Sequence, residues 1–412
     1  MKLGFVCGEY PPVPHGGIGT LVQTLGRALV ADGHSVRVIG LYPGLRGVQH
    51  ESDHGVEVWR LPQARRPFGW IDDRRRLFRK IAEWSGEGRL DLVEVPDWQG
   101  WAAYWPTLPV PVVTRLHGST TYFAAEMNRP VRRSTVHLEG RSLVRSDFWC
   151  SVSRYTADKT KALFGLRADA AAILPNPVVA MPATRWADRR PGLVVFSGTL
   201  TEKKGVIPLV DAWPEVVARF PDATLCMVGK DGAAPGGGSM TGFLRQRLGE
   251  SAGARVHFTG HVSRDEVMRR MSEARVAVFP SYAEAFAIAP LEAMSVGCPT
   301  IASALGSGPE LIDSGGNGLT VDPHDPPAIA QAICRLLSDE PVAAAMGERG
   351  RRTIVDRFSL GPLLPKNVAF YDDCVAVFAS RRRATRSGRL PLTRAASPVS
   401  APKPATVRHD AR

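Results

Sequence analysis

The sequence predicts an α/β protein built from two doubly wound lobes in tandem, closed by a helical C-terminal extension. Three observations carry that reading: short, predominantly apolar runs that recur along the chain, helix-period segments between most of them, and one proline-punctuated break near the middle. Continuous apolar strands suit a parallel sheet covered on both faces. The 412 residues and 44% hydrophobic content agree with two domains of ordinary size.

Taken in order, Lys2 to Gly8 reads as the first strand, followed by the Gly/Pro-rich loop EYPPVPHGGIGT. A helix is expected from about Thr20 to Ala31, with Leu21, Val22, Leu25, Ala28 and Leu29 on one face. SVRVIGL completes a βαβ unit, and VEVWRLP, DLVEVPD, PVVTRLHG and FWCSVSR continue the strand series. The segment from Ile173 to Pro191 is poorly periodic and reads as a linker. Beyond it LVVFSG, ATLCMVG, RVHFTGHV, RVAVFPS and CPTIAS form a second strand set. Pro326 to Phe378 reads as almost all helix. The expected organisation is an N-terminal Rossmann-like domain over 1–180, a second over 192–358, a crossover helix over 359–379 and a disordered basic tail over 380–412.

The net charge of +12 sits mostly in that tail, which holds eight arginines and one lysine against one aspartate. The high pI therefore gives no reason to expect the folded body to bind nucleic acid. No apolar run approaches the roughly 18 residues of a bilayer span. The opening MKLGFVCGEYPP lacks the charged lead and cleavage site of a signal peptide. Six scattered cysteines without C-x-x-C or metal spacing suit reduced thiols and a cytoplasmic location.

Two places could carry chemistry. Gly16, Gly17 and Gly19 let backbone approach a ligand at a helix start, although Val22 occupies the third glycine position of a dinucleotide fingerprint. Glu284 follows a strand, where open α/β sheets bind ligands, and Glu292 lies about two turns into a helix expected from Phe286. Carboxylates can accept paired hydrogen bonds from a diol, and the backbone amides of Phe286, Ala287 and Ile288 are candidate donors to a diphosphate or sugar.

The E-x7-E spacing of Glu284 and Glu292 resembles family 4 of the retaining glycosyltransferases, which have the GT-B fold. The GGIGT loop, His117-Gly118, Pro175-Asn176-Pro177, Lys204-Gly205 and Gly-Pro-Glu310 match in order, over residues 1 to about 378. The resemblance implies that Glu292 binds the donor ribose, Glu284 contacts the transferred sugar, and Lys204 holds the diphosphate. It places Gly16 and Gly17 across the cleft and His117 near the anomeric centre, with His117 and Glu284 as the catalytic pair. It departs at Thr199, where the family usually has an arginine, and at Ala287, where a glycine is common. Arg115 is a conceivable replacement cation. No D-x-D occurs, so the expectation is a metal-independent transferase without a cofactor. Its partners would be a UDP- or GDP-sugar donor and a glycan, lipid-linked or small-molecule acceptor. A non-catalytic sugar-nucleotide-binding scaffold and an epimerase on the same fold are the alternatives.

A separate feature is RRPFGWIDDRRRLFRKIAEW. Trp70, Ile71, Leu77, Phe78, Ile81 and Trp84 share one helical face, with Arg65, Arg66, Arg74, Arg75, Arg76, Arg79 and Lys80 around the rest. Such a helix either packs its apolar face on the N-lobe or, with residues 65–84 or the tail, touches an anionic membrane at the inner face of the plasma membrane.

Overall fold

The computed structural model describes residues 1–14, 16–65 and 68–386. Its first lobe is an eight-stranded sheet in the order β3-β4-β2-β1-β5-β6-β7-β8. The strands are β1 (Lys2–Val6), β2 (Ser35–Tyr42), β3 (Gln49–Asp53), β4 (Val56–Pro62), β5 (Leu92–Pro96), β6 (Val112–Leu116), β7 (Phe148–Ser151) and β8 (Ala172–Ile173). All pair in parallel except the β3–β4 hairpin at one edge. The second lobe is a six-stranded parallel sheet, β11-β10-β9-β12-β13-β14. Its strands are β9 (Leu193–Ser197), β10 (Thr224–Val228), β11 (Val256–Gly260), β12 (Val276–Phe279), β13 (Thr300–Ser303) and β14 (Leu319–Val321). This is the predicted pair of doubly wound lobes.

Helices cover both sheets. Those that position the site are α1 (Gly17–Ala31), α2 (Gly69–Gly86), α3 (Thr120–Glu126), α4 (Arg133–Arg145), α5 (Arg154–Phe164), α6 (Val206–Arg219), α7 (Met240–Gly253), α8 (Arg264–Glu273) and α9 (Ile288–Ser295). A long C-terminal helix, Leu360–Arg386, returns to the first lobe. There Phe370, Tyr371 and Cys374 join the core of Leu3, Phe5, Leu25 and Val38. Under it lies a buried polar knot. Arg115 makes two bonds to Glu94, at 2.9 and 3.0 Å, and donates to Asn367 and to the Tyr371 hydroxyl at 2.8 and 2.9 Å. Arg115 is therefore a structural pin, not a cleft cation.

Several expectations shift. Helix α1 begins at Gly17, three residues early, because the Glu9 carboxylate accepts the Gly19 amide at 2.9 Å and satisfies an end that glycines alone would not hold. Helix α9 starts at Ile288, so Glu292 stands just past its first turn, not two turns in. The C-terminal helix overruns the expected boundary at 380. Residues 380–386 are helical, while the remainder of the proposed tail, 387–412, lies outside the described residues, as does Arg66. On α2, Leu77, Ile81 and Trp84 are buried in the lobe as the packing alternative requires. Trp70 is partly exposed instead, and Arg74 is buried. Among the described residues no helix is long and apolar enough to cross a membrane.

Candidate active site

In each sheet the strand order reverses at one place, between β1 and β5 in the first lobe and between β9 and β12 in the second. Loops leaving the C-terminal ends of such strands open a crevice, because neighbouring connections diverge to opposite faces. The two crevices face each other across a cleft of about 870 Å³ lined by both lobes.

The C-terminal wall carries the charge. Lys204 leaves β9 on a single turn that ends at Gly205, whose positive φ of 68° and contact with the Pro280 carbonyl leave no room for a side chain. Its ammonium meets the Glu284 carboxylate at 2.5 Å, and the Ser281 hydroxyl donates to the same oxygen at 3.1 Å. Burial pushes the Glu284 carboxyl up, but Lys204 and Lys203 together outweigh it and hold the group below its usual range. Glu292 is raised by burial, partly offset by Arg264, which pairs with it at 3.0 Å. Helix α9 has Ala287 at its N-cap and no side-chain cap, so its amide end is left for a ligand where Phe286 and Ile288 line the cleft.

The N-terminal wall is mostly backbone and neutral groups, with Glu9 and Arg129 as its charged members. Gly16 and Gly17 line it, and a methyl group on Gly17 would stand 3.3 Å from Ile288 across the gap. His117 ends β6, its amide donating to Asp97 at 2.9 Å. Burial, then the positive charge of Arg115, push the His117 imidazole down to about 3, so near neutrality it is an uncharged hydrogen-bonding group. Asp97, fully enclosed at the end of β5, is raised by burial to about 7 despite the amide bonds from His117 and Gly118.

The lobes touch directly behind this site. The Tyr122 hydroxyl donates to the Glu284 carbonyl at 3.2 Å, and Ser153 and Thr156 donate to that of Ala285 at 2.8 and 2.9 Å. Glu310 takes the first amides of α5, Arg154 and Tyr155, at 2.8 and 2.7 Å. Lys203 lies 3.8 Å from the Phe123 ring centre.

The structure thus brings together Gly16, Gly17, His117, Lys204, Glu284, Phe286, Ile288 and Glu292 at one cleft. Thr199 is exposed and does not line it; Ser197 and Gly198 occupy that stretch instead. Ala287 contributes only as the helix cap. Sequence reasoning missed Asp97, Lys203, Glu9 and Arg264. Asp97 could have been noticed as an acid closing an apolar strand, whereas Arg264 had no local signal.

The chain matches the profile of glycosyltransferase family 4 over residues 15–180 and that of glycosyl transferases group 1 over residues 185–353, one on each lobe. The chain belongs to glycosyltransferase family 4. It is a glycosyltransferase of the GT-B fold. This glycosyltransferase is 27% identical to a glycogen synthase of Mycobacterium tuberculosis, over 97% of this chain and all of that one. It is 29% identical to a GDP-mannose-dependent alpha-(1-6)-phosphatidylinositol monomannoside mannosyltransferase of the same organism, over 89% and 96% of the two chains. Sucrose-phosphate synthase from Thermosynechococcus elongatus has a similar fold, with a TM-score of 0.73 at 21% identity over 91% of this chain and 99% of its own. So does HepE from Anabaena, solved with UDP and glucose, with a TM-score of 0.68 at 18% identity over 92% and 100%.

Proposed function

We propose that this glycosyltransferase is retaining and metal-independent, and that it moves a sugar from a UDP- or GDP-sugar to a hydroxyl of a glycan, glycolipid or small-molecule acceptor. The convergence of Lys204, Glu284, Glu292 and His117 on one interlobe cleft carries this reading. When the sugar–phosphate bond breaks, charge gathers on the departing diphosphate. Lys204, drawn from Glu284 to the phosphates, and the open amides of α9 meet that charge with donors already in place. These groups fill the role a metal would have at the diphosphate, so no cofactor is needed. Glu292 accepts from the ribose hydroxyls, Glu284 from the transferred sugar, and neutral His117 steadies the sugar without adding charge beside the anomeric carbon. The acceptor enters from the N-lobe, and the closed cleft keeps water from the donor. Six buried thiols agree with a cytoplasmic setting. Leu77, Ile81 and Trp84 are already occupied in the N-lobe core, so we do not extend the proposal to membrane contact through α2.

The test is transfer with UDP-, GDP- and ADP-sugars, with the product anomer read by NMR. Lys204→Ala and Glu284→Ala should each lower turnover about 10²–10³-fold in a folded protein. A wild type that is stabilised by sugar nucleotides yet releases no nucleotide diphosphate would favour the binding scaffold. Sugar interconversion without such release would favour the epimerase.

A further inference from the structure

Beyond the donor cleft, the N-lobe carries a run of connected hollows. Trp98 and Thr120 line the cleft and also a second cavity of about 410 Å³; Trp70 and Arg74 line that cavity and a third of about 610 Å³. Three large rings along this path are left open to solvent, with Trp98 38%, Trp70 43% and Tyr104 55% exposed. Between them lie the hydrogen-bonding side chains of Gln63, Gln99 and Thr135.

The floor of this trough is strained and held. Gln99 and Tyr104 have positive φ of 62° and 64°, conformations that side-chain-bearing residues adopt only when their surroundings enforce them. Gly100 adds a φ of 58°, and a methyl group there would stand 2.3 Å from the Leu138 carbonyl. At Gln99 and Gly100 the enforcing group is Arg74. It donates to the Gln99 carbonyl, to the Gly100 carbonyl at 3.2 Å and to the Trp70 carbonyl at 3.2 Å. Its guanidinium also lies 5.3 and 5.4 Å from the Trp70 and Trp101 rings. The Tyr104 hydroxyl is bonded to His137. The Trp70 indole and the Tyr104 phenol are thus held, and the backbone beside Trp98 is fixed, along a channel that leads to the cleft.

We infer that this trough is an acceptor channel that binds an extended linear glycan, with its growing end at the cleft. The inference rests on the transfer reaction proposed above, and it specifies the acceptor class. A pyranose ring has apolar C–H faces and a polar rim, so a chain of them fits an alternation of rigid aromatic surfaces and amide or hydroxyl groups. Continuity with the cleft through Trp98 and Thr120 favours a ligand that must reach the reacting centre. A flat lipid surface cannot enter a concave trough whose base is a buried arginine.

Binding is measured on the full chain without nucleotide, by tryptophan fluorescence and calorimetry. The probes are linear oligosaccharides of glucose, mannose, galactose and N-acetylglucosamine, from mono- to hexasaccharide. In at least one series affinity should rise about tenfold or more with length. Trp70→Ala and Trp98→Ala, each checked for an unchanged fold by melting, should each remove most of that rise, and Trp70→Phe should restore much of it. Affinity that is flat with length, or absent in every series, overturns the channel. So does co-sedimentation with phosphatidylglycerol vesicles that Trp70→Ala abolishes while no glycan binds. UDP and GDP thermal shifts on the same protein report separately on the donor reading, so the two can fail independently.

Discussion

The two walls of the cleft are built on opposite principles. The C-terminal wall holds acidic and basic side chains paired with one another: Lys204 with Glu284, and Glu292 with Arg264. The N-terminal wall holds mainly glycine backbone and a neutral histidine, with Glu9 bonded to the Gly19 amide and Arg129 paired with Glu202 as its charged members, while its buried ionic groups sit one layer down, where Arg115 grips Glu94 and Arg74 grips the 98–104 loop. The pairs that the proposed donor would have to open border the cleft, their carboxylates largely buried but their cations partly exposed, Lys204 at 29% and Arg264 at 49%. Charges that fix shape are fully enclosed, where breaking a pair is severe. Substitutions in the two walls should therefore fail differently, one in turnover and the other in stability.

The largest expected effect is structural and lies in the N-terminal lobe. Glu94→Gln leaves the Arg115 guanidinium enclosed without its counter-charge and should lower unfolding free energy by about 3–5 kcal/mol, read by chemical denaturation. A loss under about 1 kcal/mol would break the contrast between the walls. Next, Lys204→Ala should act on the reaction instead, with the 10²–10³-fold fall in turnover given above and a melting curve that stays cooperative.

A subtler contrast concerns pH. Asp97 has a folded value near 7, above its unfolded one, so its neutral form stabilises at low pH and that contribution fades as pH rises from about 4 to 7. His117 is depressed to about 3, so its contribution has the opposite slope, present above about 6.5 and lost as pH falls. The two oppose each other between about pH 4 and 6.5. Asp97→Asn keeps an acceptor for the His117 amide but removes one slope, so its stability relative to wild type should rise with pH across this window. Melting temperatures at several pH values decide the sign; a difference independent of pH would refute the enclosed carboxyl. The smallest effect belongs to Arg264→Ala. Arg264 is half exposed, so losing its bond to Glu292 should change stability by no more than about 1 kcal/mol.

Much of the frame was legible because parallel strands enclosed on both faces write themselves as apolar runs. What escaped were elements whose stability comes from elsewhere. QHESD, almost wholly exposed, becomes β3 only by pairing with β4. β8 and β14 have two and three residues and exist as extensions of neighbouring strands. At the site, Lys204, Glu284 and Glu292 were readable because their order along the chain is distinctive. The misplacement of Arg115 has a clear cause, since its partners Asn367 and Tyr371 lie more than 250 positions away. No local pattern could show that a cation beside His117 points away from the cleft. The overestimate at Thr199 is of the same kind, because a loop position was assumed to face inward and the β9 turn directs Ser197 and Gly198 there instead.

The C-terminal helix has a consequence for how the molecule comes into being. Phe370, Tyr371 and Cys374 complete a core drawn otherwise from residues 3 to 174. As the nascent polypeptide leaves the ribosome, the first lobe stays unfinished until this helix has emerged. A prematurely terminated product would expose an apolar socket with an arginine at its base, a target for chaperones and proteases. Folding of the first lobe is thereby coupled to synthesis of a helix that lies beyond the second.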